Sequence, residues 1–147
     1  MEIERKYLIH NIPFDLSIYP HHQIEQAYLN VDPVIRIRRK DRDYFLTYKS
    51  KGLLAREEYD LPLNAESYTH LLKKADGNIL TKTRYEIPLG DHLIIELDIF
   101  HGKFEGLILA EVEFPAMEEA NNFTPPEYFG EDVTFSTEYQ NSTLSRK

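Results

Sequence analysis

Apolar and polar residues alternate along most of this chain with a period of two, the signature of strands with two unlike faces. Segments 2–8, 23–30, 33–40, 43–50, 55–61, 81–88, 92–100 and 107–114 all carry the pattern and are rich in Tyr, Ile, Val, Leu and Thr. Arg42-Asp43 and Gly90-Asp91 suit hairpin turns, and Gly102 suits the turn leaving its strand. One segment has helical spacing: within 64–76, Ala65, Tyr68, Leu71, Leu72 and Ala75 share a face. Asn64 is its expected N-cap and Gly77 its stop. Residues 116–122, closed off by Pro125-Pro126, and residues 11–19 are weaker helical candidates. The tail after Val133 is polar and gives no clear period. Eight strands with short turns predict a mainly β (α+β) fold, an antiparallel barrel or sandwich.

The polar faces of these strands are unusual in kind. Glu2, Glu4 and Lys6 share one face, opposite Ile3, Arg5 and Tyr7. Arg36, Arg38 and Lys40 share another, as do Thr47, Lys49 and Lys51, then Arg56, Glu58 and Asp60, then Lys82, Arg84 and Glu86. Glu96 pairs with Asp98, and Glu111 with Glu113. A face that merely meets water mixes in Ser, Thr, Gln and Asn; these carry almost only ionised groups. The charges are also sorted. Acids dominate the first, seventh and eighth segments, and bases the third, fourth and sixth. For any single strand a solvated outer face is the ordinary explanation. Repetition over seven strands suits two opposing walls that bind different things. Two arrangements satisfy the pattern: an oily interior with charges outward, or an inverted barrel whose charges line a lumen. Periodicity does not choose between them. In the inverted case the few helices would cover part of the outer wall, and a homodimer is one way to cover the rest.

Composition narrows the picture. At 147 residues the expectation is a single domain over 1–147, with a sizeable core. A hydrophobic content of 41% with 12% aromatics argues for a folded domain. There is no cysteine, so disulfides and thiolate zinc sites are excluded. No apolar run approaches the roughly 20 residues of a membrane span, and the opening MEIERKYLIH does not read as a signal peptide. A cytoplasmic protein with no membrane partner is expected. The net charge of −8 repels nucleic acid, so no nucleic-acid partner is expected either. The six histidines show no ligand spacing, and Glu118, Glu119, Glu127, Glu131 and Asp132 read as a solvated acidic face.

Two carboxylates at i and i+2 on a strand lie about 7 Å apart and can turn toward one hard cation. Glu2/Glu4 and Glu111/Glu113 have this spacing, with Glu96/Asp98 beside them and Glu58 on another wall. Oxygen-only donors favour Mg²⁺ or Mn²⁺ over zinc. Arg36, Arg38, Lys49, Lys82 and Arg84 supply the opposite sign, and guanidinium forks match phosphate oxygens. Facing one another, such cations need a polyanion, and a triphosphate supplies one. Phosphoanhydride hydrolysis is the reaction class that follows.

The ordered motifs bear a family likeness. Glu2-x-Glu4-x-Lys6 resembles the opening signature of the CYTH superfamily, the triphosphate tunnel metalloenzymes. It is followed in order by Ile24-x-Gln26-x-Tyr28, Ile35-Arg36-Ile37-Arg38, Leu46-Thr47-x-Lys49, Arg56-x-Glu58-x-Asp60, Lys82-Thr83-Arg84, Asp98-Ile99-Phe100-x-Gly102, Ala110-Glu111-Val112-Glu113 and Tyr139-Gln140-Asn141. The resemblance implies an eight-stranded antiparallel β-barrel forming a polar tunnel, which selects the inverted arrangement. It implies metal-binding roles for Glu2, Glu4, Asp98, Glu111 and Glu113. It implies triphosphate contacts from Lys6, Arg36, Arg38, Lys49, Lys82 and Arg84. Lys6 and Glu58 are its candidates for the catalytic base. The expected substrate is inorganic tripolyphosphate, since no insertion offers a nucleobase pocket. A class IV-type adenylate cyclase, a thiamine triphosphatase and a non-catalytic polyphosphate- or nucleotide-binding module are the alternatives.

Overall fold

A computed structural model describes all of residues 1–147. Ten strands are present: β1 (Glu2–Ile9), β2 (His21–Val31), β3 (Val34–Lys40), β4 (Asp43–Lys49), β5 (Ala55–Arg56), β6 (Glu58–Leu63), β7 (Asp76–Leu89), β8 (Leu93–Phe100), β9 (Ile108–Glu113) and β10 (Phe129–Asp132). All pair antiparallel, in the order β10-β1-β9-β8-β7-β2-β3-β4-β6. The ladder is not closed by hydrogen bonds along its whole length. The predicted strand 55–61 breaks at Glu57: its first part, β5, pairs with the start of β1, and its second part, β6, pairs with β4. The segment therefore touches both edges of the curled sheet, and Glu4 N–H adds a bond to the Leu54 carbonyl. Pro62 is tolerated because β6 has a free edge. Counting 55–63 as one wall, eight walls surround the lumen, and β10 is an added strip on the outer edge of β1.

The helices are shorter than the periodicity predicts. α1 runs Ala65–Leu72, with Asn64 Oδ1 accepting from Ser67 N–H at 2.7 Å as expected of an N-cap. It stops early because Asp76 and Gly77 belong to β7. Gly77 sits at φ +72°, and a Cβ there would lie 2.2 Å from the Ser145 carbonyl oxygen, so the chain packs there against its own C-terminal segment. α2 covers Met117–Asn121, α3 covers Asn141–Leu144, and the 11–19 candidate is a single 3₁₀ turn at Leu16–Ile18.

Apolar side chains pack outside the barrel. Ile3, Ile87, Ile95, Leu97, Ala110 and Val112 form the largest core, under a cover of Phe14, Leu16, Phe123 and Tyr128 from the segments around 11–19 and 117–129. Tyr68 of α1 covers Ala27 and Ile37 on β2 and β3. The inverted arrangement is the one adopted. Tyr48, Tyr59 and Leu61, on β4 and β6, remain exposed. A third cluster faces inward: Tyr28, Val34, Leu80, Phe100 and Leu109 continue the lumen-facing rows of their strands, and Val133 and Leu144 join them. It forms an apolar floor at one end of the lumen, partly built by the C-terminal segment.

At the other end His22 ties three elements together. Its Nδ1 lies 2.6 Å from Asp41 in the β3–β4 turn, and its Nε2 meets Glu86 of β7. The Asp41 bond, then Glu86, raise its pKa above the ordinary histidine value, against an opposing effect of burial. A raised folded-state pKa stabilises below the unfolded value of about 6.5 and is lost as pH rises through the folded one. His22→Gln is therefore expected to melt up to about 3 °C below the wild type at pH 5.5, with the gap narrowing toward pH 9. Thermal melts at the two pH values check this.

Candidate active site

The lumen holds a cavity of about 210 Å³ whose lining is almost entirely polar and mostly acidic or basic. Of the residues expected to act, Glu2, Glu4, Lys6, Arg36, Arg38, Lys49, Glu58, Arg84, Glu111 and Glu113 all line it. Their placement follows from register. Glu4 lies opposite Glu113 and Lys6 opposite Glu111 across β1 and β9; Glu96 lies opposite Glu111 across β8 and β9. Those pairings gather the acids on one wall. Arg36 and Arg38 come from β3, three strands beyond β8 in the sheet order.

On the acidic side, carboxylate oxygens of Glu2, Glu58 and Glu113 lie within 4.8 Å of one another. Lys49 Nζ bridges two of them, at 2.9 Å from Glu2 and 3.1 Å from Glu58. Arg56 Nε approaches Glu2 at 3.2 Å. Burial, then the charges of Glu111 and Glu2, push the Glu4 carboxyl well above the usual carboxylate range. Burial raises Glu58 and Glu113 as well. Burial works the same way on Glu111, but Lys6 at 3.7 Å and Arg84 at 3.8 Å overcome it and hold that group well below the range. Mutually repelling oxygen donors, with no sulfur or imidazole among them, fit a hard divalent cation.

The cationic side is built differently. Arg38 donates from Nε and Nη2 to one acceptor, the Gln26 side-chain oxygen, at 3.0 and 2.8 Å. Arg36 donates from Nη2 to Thr47 Oγ1 at 3.3 Å, while its buried Nε has no partner. Neither guanidinium meets a carboxylate. Burial, then Arg36 and Arg84, pull Arg38 down to about 9, which leaves it charged at neutral pH. Two cations held side by side without a counter-ion offer charge complementary to an anion. Lys6 Nζ, which also donates to the Tyr139 carbonyl at 3.2 Å, extends it.

Two expected site residues lie elsewhere. Asp98 and Lys82 are on the lumen-facing side of their strands but fully buried, toward the apolar floor and outside the cavity lining. Asp98 accepts a two-pronged contact from Arg84, at 2.7 and 2.8 Å, and Lys82 Nζ lies 2.8 Å away. Both its oxygens meet cations, so Asp98, expected as a metal ligand, stands in this structure as the counter-ion of Arg84. Lys82, expected as a phosphate contact and pulled down to about 7 by burial, meets Asp98 and Asn141. The hairpin signal at Gly90-Asp91 could have shown this, since its register sets Arg84 directly opposite Asp98. Conversely, Arg56, Asp60 and Glu96 line the cavity, as do Gln140, Asn141 and Ser142 of the ambiguous tail.

A barrel with a polar, oppositely charged lumen defines the class of triphosphate-tunnel folds, and comparison places this chain within it. The CYTH domain model matches residues 1–146, and the chain belongs to that family. An inorganic triphosphatase of Nitrosomonas europaea is 38% identical, with 98% of this chain and 96% of the relative covered. One from Acetivibrio thermocellus is 31% identical, over 97% and 92%. A solved crystal structure of an inorganic triphosphatase superposes with a TM-score of 0.74 at 34% identity, covering 100% of this chain and 95% of that one. A Hippeastrum protein, described as a candidate adenylyl cyclase that reveals a dominant triphosphatase activity, shares the fold at TM-score 0.64 and 18% identity, over 82% and 83%. No helix is long and apolar enough to cross a membrane.

Proposed function

We propose that this chain is a divalent-metal-dependent triphosphatase whose best substrate is inorganic tripolyphosphate. The observation that carries the reading is the pair Arg36 and Arg38, guanidiniums without a carboxylate partner, in the same 210 Å³ cavity as an acidic cluster. The names of the full-length relatives support it. So does the lining, which offers no apolar recess for a base or a thiazole ring beyond Tyr28 and Val34.

Arg36, Arg38, Arg84 and Lys6 hold the phosphate oxygens, with forks supplying paired contacts. Glu2, Glu4, Glu111 and Glu113 would hold Mg²⁺ or Mn²⁺. Bound there, the metal would neutralise phosphate charge and polarise the terminal phosphoryl group. Glu58 orients the attacking water, and its carboxylate, raised by burial, takes the proton. The water oxygen bonds to the terminal phosphorus, the bond from phosphorus to the bridging oxygen breaks, and phosphate and pyrophosphate leave. Lys49, paired with both Glu2 and Glu58, adds a cation within the acidic wall.

Purified protein assayed for phosphate release against tripolyphosphate, ATP, thiamine triphosphate and pyrophosphate, each with Mg²⁺, Mn²⁺ or chelator, tests the reading. Tripolyphosphate is expected to be turned over fastest, only with metal, and at least about 10²-fold slower in Glu4→Gln. Metal-dependent binding without product would make the chain a polyphosphate-binding module, and cyclic AMP as main product would make it a cyclase.

A further inference from the structure

The lumen cations divide by what they rest on. Lys6, Lys49, Lys82 and Arg84 each have a carboxylate oxygen nearby, the nearest at 3.7, 2.9, 2.8 and 2.7 Å respectively. Arg38 has a carboxamide instead. Gln26 Oε1 accepts both of its bonds, from Nε at 3.0 Å and from Nη2 at 2.8 Å. The contact follows from register: β2 sets Gln26 opposite Arg38 on β3 and opposite Leu80 on β7, between the guanidinium and the apolar floor. Gln26 is fully buried and does not line the cavity, whereas Arg38 does.

The amide has one workable orientation. A guanidinium only donates, so the side-chain oxygen must face Arg38 and the amide nitrogen must turn away. That nitrogen is buried and has no partner. An unmatched buried donor costs stability. A glutamate in the same place would carry no such donor and would give Arg38 a counter-ion, as Asp98 does for Arg84. The residue present is the one worse for folding and better for leaving the charge of Arg38 uncancelled. Its grip also fixes the plane of the guanidinium. Gln26 engages the Nε hydrogen and one hydrogen of Nη2, and both hydrogens of Nη1 and the second of Nη2 remain for a ligand.

We propose that Gln26 is a positioning residue for the anion: it holds the Arg38 fork toward the cavity as a neutral acceptor, so the full charge is left for phosphate, a role that rests on the triphosphatase reading for the identity of that anion. Gln26 touches no phosphate itself; it acts through Arg38. Two properties of the side chain are needed together. Its oxygen sets the direction of the remaining donors, and directed donors bind better than swinging ones. Its neutrality keeps a buried carboxylate from competing with the phosphate oxygens for the same guanidinium.

The test separates the two properties with Gln26→Glu, which keeps the acceptor and adds charge, and Gln26→Met, which removes the acceptor and adds none. Each is assayed for kcat/KM on tripolyphosphate with Mn²⁺, for the calorimetric dissociation constant of tripolyphosphate in metal-free buffer, and for Tm. Gln26→Glu is expected to lose at least about 30-fold in kcat/KM and in affinity while melting no lower than the wild type. Gln26→Met is expected to lose about tenfold in both. In an Arg38→Met background, Gln26→Met should then change kcat/KM by less than about threefold, because the group it positions is gone. A merely structural Gln26 would carry the same loss into both backgrounds. That outcome, or a Gln26→Glu protein with wild-type kinetics and affinity, overturns the proposal and leaves the triphosphatase reading intact. If the wild type releases no phosphate from tripolyphosphate, the hydrolase reading fails. The positioning role then stands only if the wild type binds tripolyphosphate and the two variants weaken that binding as stated.

Discussion

Arg38→Met is expected to lose about 10³-fold in kcat/KM for tripolyphosphate and yet melt no lower than the wild type. The two halves have one cause. Arg38 is a largely buried cation whose only bonds run to the neutral Gln26 side chain, beside the like charges of Arg36 and Arg84. A charge in that position costs folding free energy that no carboxylate offsets. Methionine keeps much of the volume and removes the charge, so Tm is expected to stay level or rise by up to about 5 °C. The same charge, unpaired in the free protein, is what the phosphate oxygens meet, so its loss falls on transition-state binding. Steady-state kinetics on tripolyphosphate with a parallel melt checks both. A Tm drop of more than about 5 °C would show that Arg38 carries structural weight that these contacts do not reveal. Stability given up at a site held ready for a ligand is the usual exchange in enzymes.

That vacancy of counter-charge was legible in the sequence as a pattern without coordinates. The alternation at Arg36-x-Arg38-x-Lys40 and Glu2-x-Glu4-x-Lys6 fixes which side chains share a face, because side chains on a strand point alternately to its two sides. Depth is another matter. Lys82 and Asp98 obey the same rule as Arg84 and Glu96 but sit one step nearer the apolar floor, and alternation does not encode position along a lumen. The floor itself hides in plain view, because Leu80, Phe100 and Leu109 occupy the polar phase of their strands. Strand β10 was unreadable for a different reason: Phe-Gly-Glu-Asp has no alternation, and it pairs because β1 offers a free edge at Tyr7 and Ile9. Strand β7 begins at Asp76-Gly77-Asn78, residues that locally favour turns; pairing with Tyr28 and contact with Ser145 override that preference. Gln140, Asn141 and Ser142 reach the cavity because the C-terminal segment folds back over it, a long-range event that no periodicity encodes and that only the Tyr139-Gln140-Asn141 motif marked.

Asp98→Asn is expected to destabilise the protein by about 3–5 kcal/mol, a fall in Tm of about 10 °C, while leaving metal affinity nearly unchanged. Asp98 is fully buried and is the shared acceptor of Arg84 and Lys82, so neutralising it takes the two-pronged acceptor from Arg84 and leaves the buried Lys82 amine without a carboxylate. Arg84 retains Glu96 at 3.2 Å and Glu111 at 3.8 Å, but Lys82 loses its only carboxylate partner. Removing that unpaired buried amine is expected to recover part of the loss, so Asp98→Asn with Lys82→Met should cost less than the sum of the singles. Manganese titration by calorimetry at low temperature, on protein shown to be folded by circular dichroism, separates the two roles. A dissociation constant within about threefold of the wild type fits a counter-ion that fixes Arg84 from beneath; a metal ligand would cost about 10-fold or more. Activity should fall too, because an Arg84 released from its two-pronged contact no longer presents Nη1 to the cavity in one orientation. A large loss of manganese affinity in folded protein would return Asp98 to the metal-binding set and require the carboxylate to leave its cations when metal arrives.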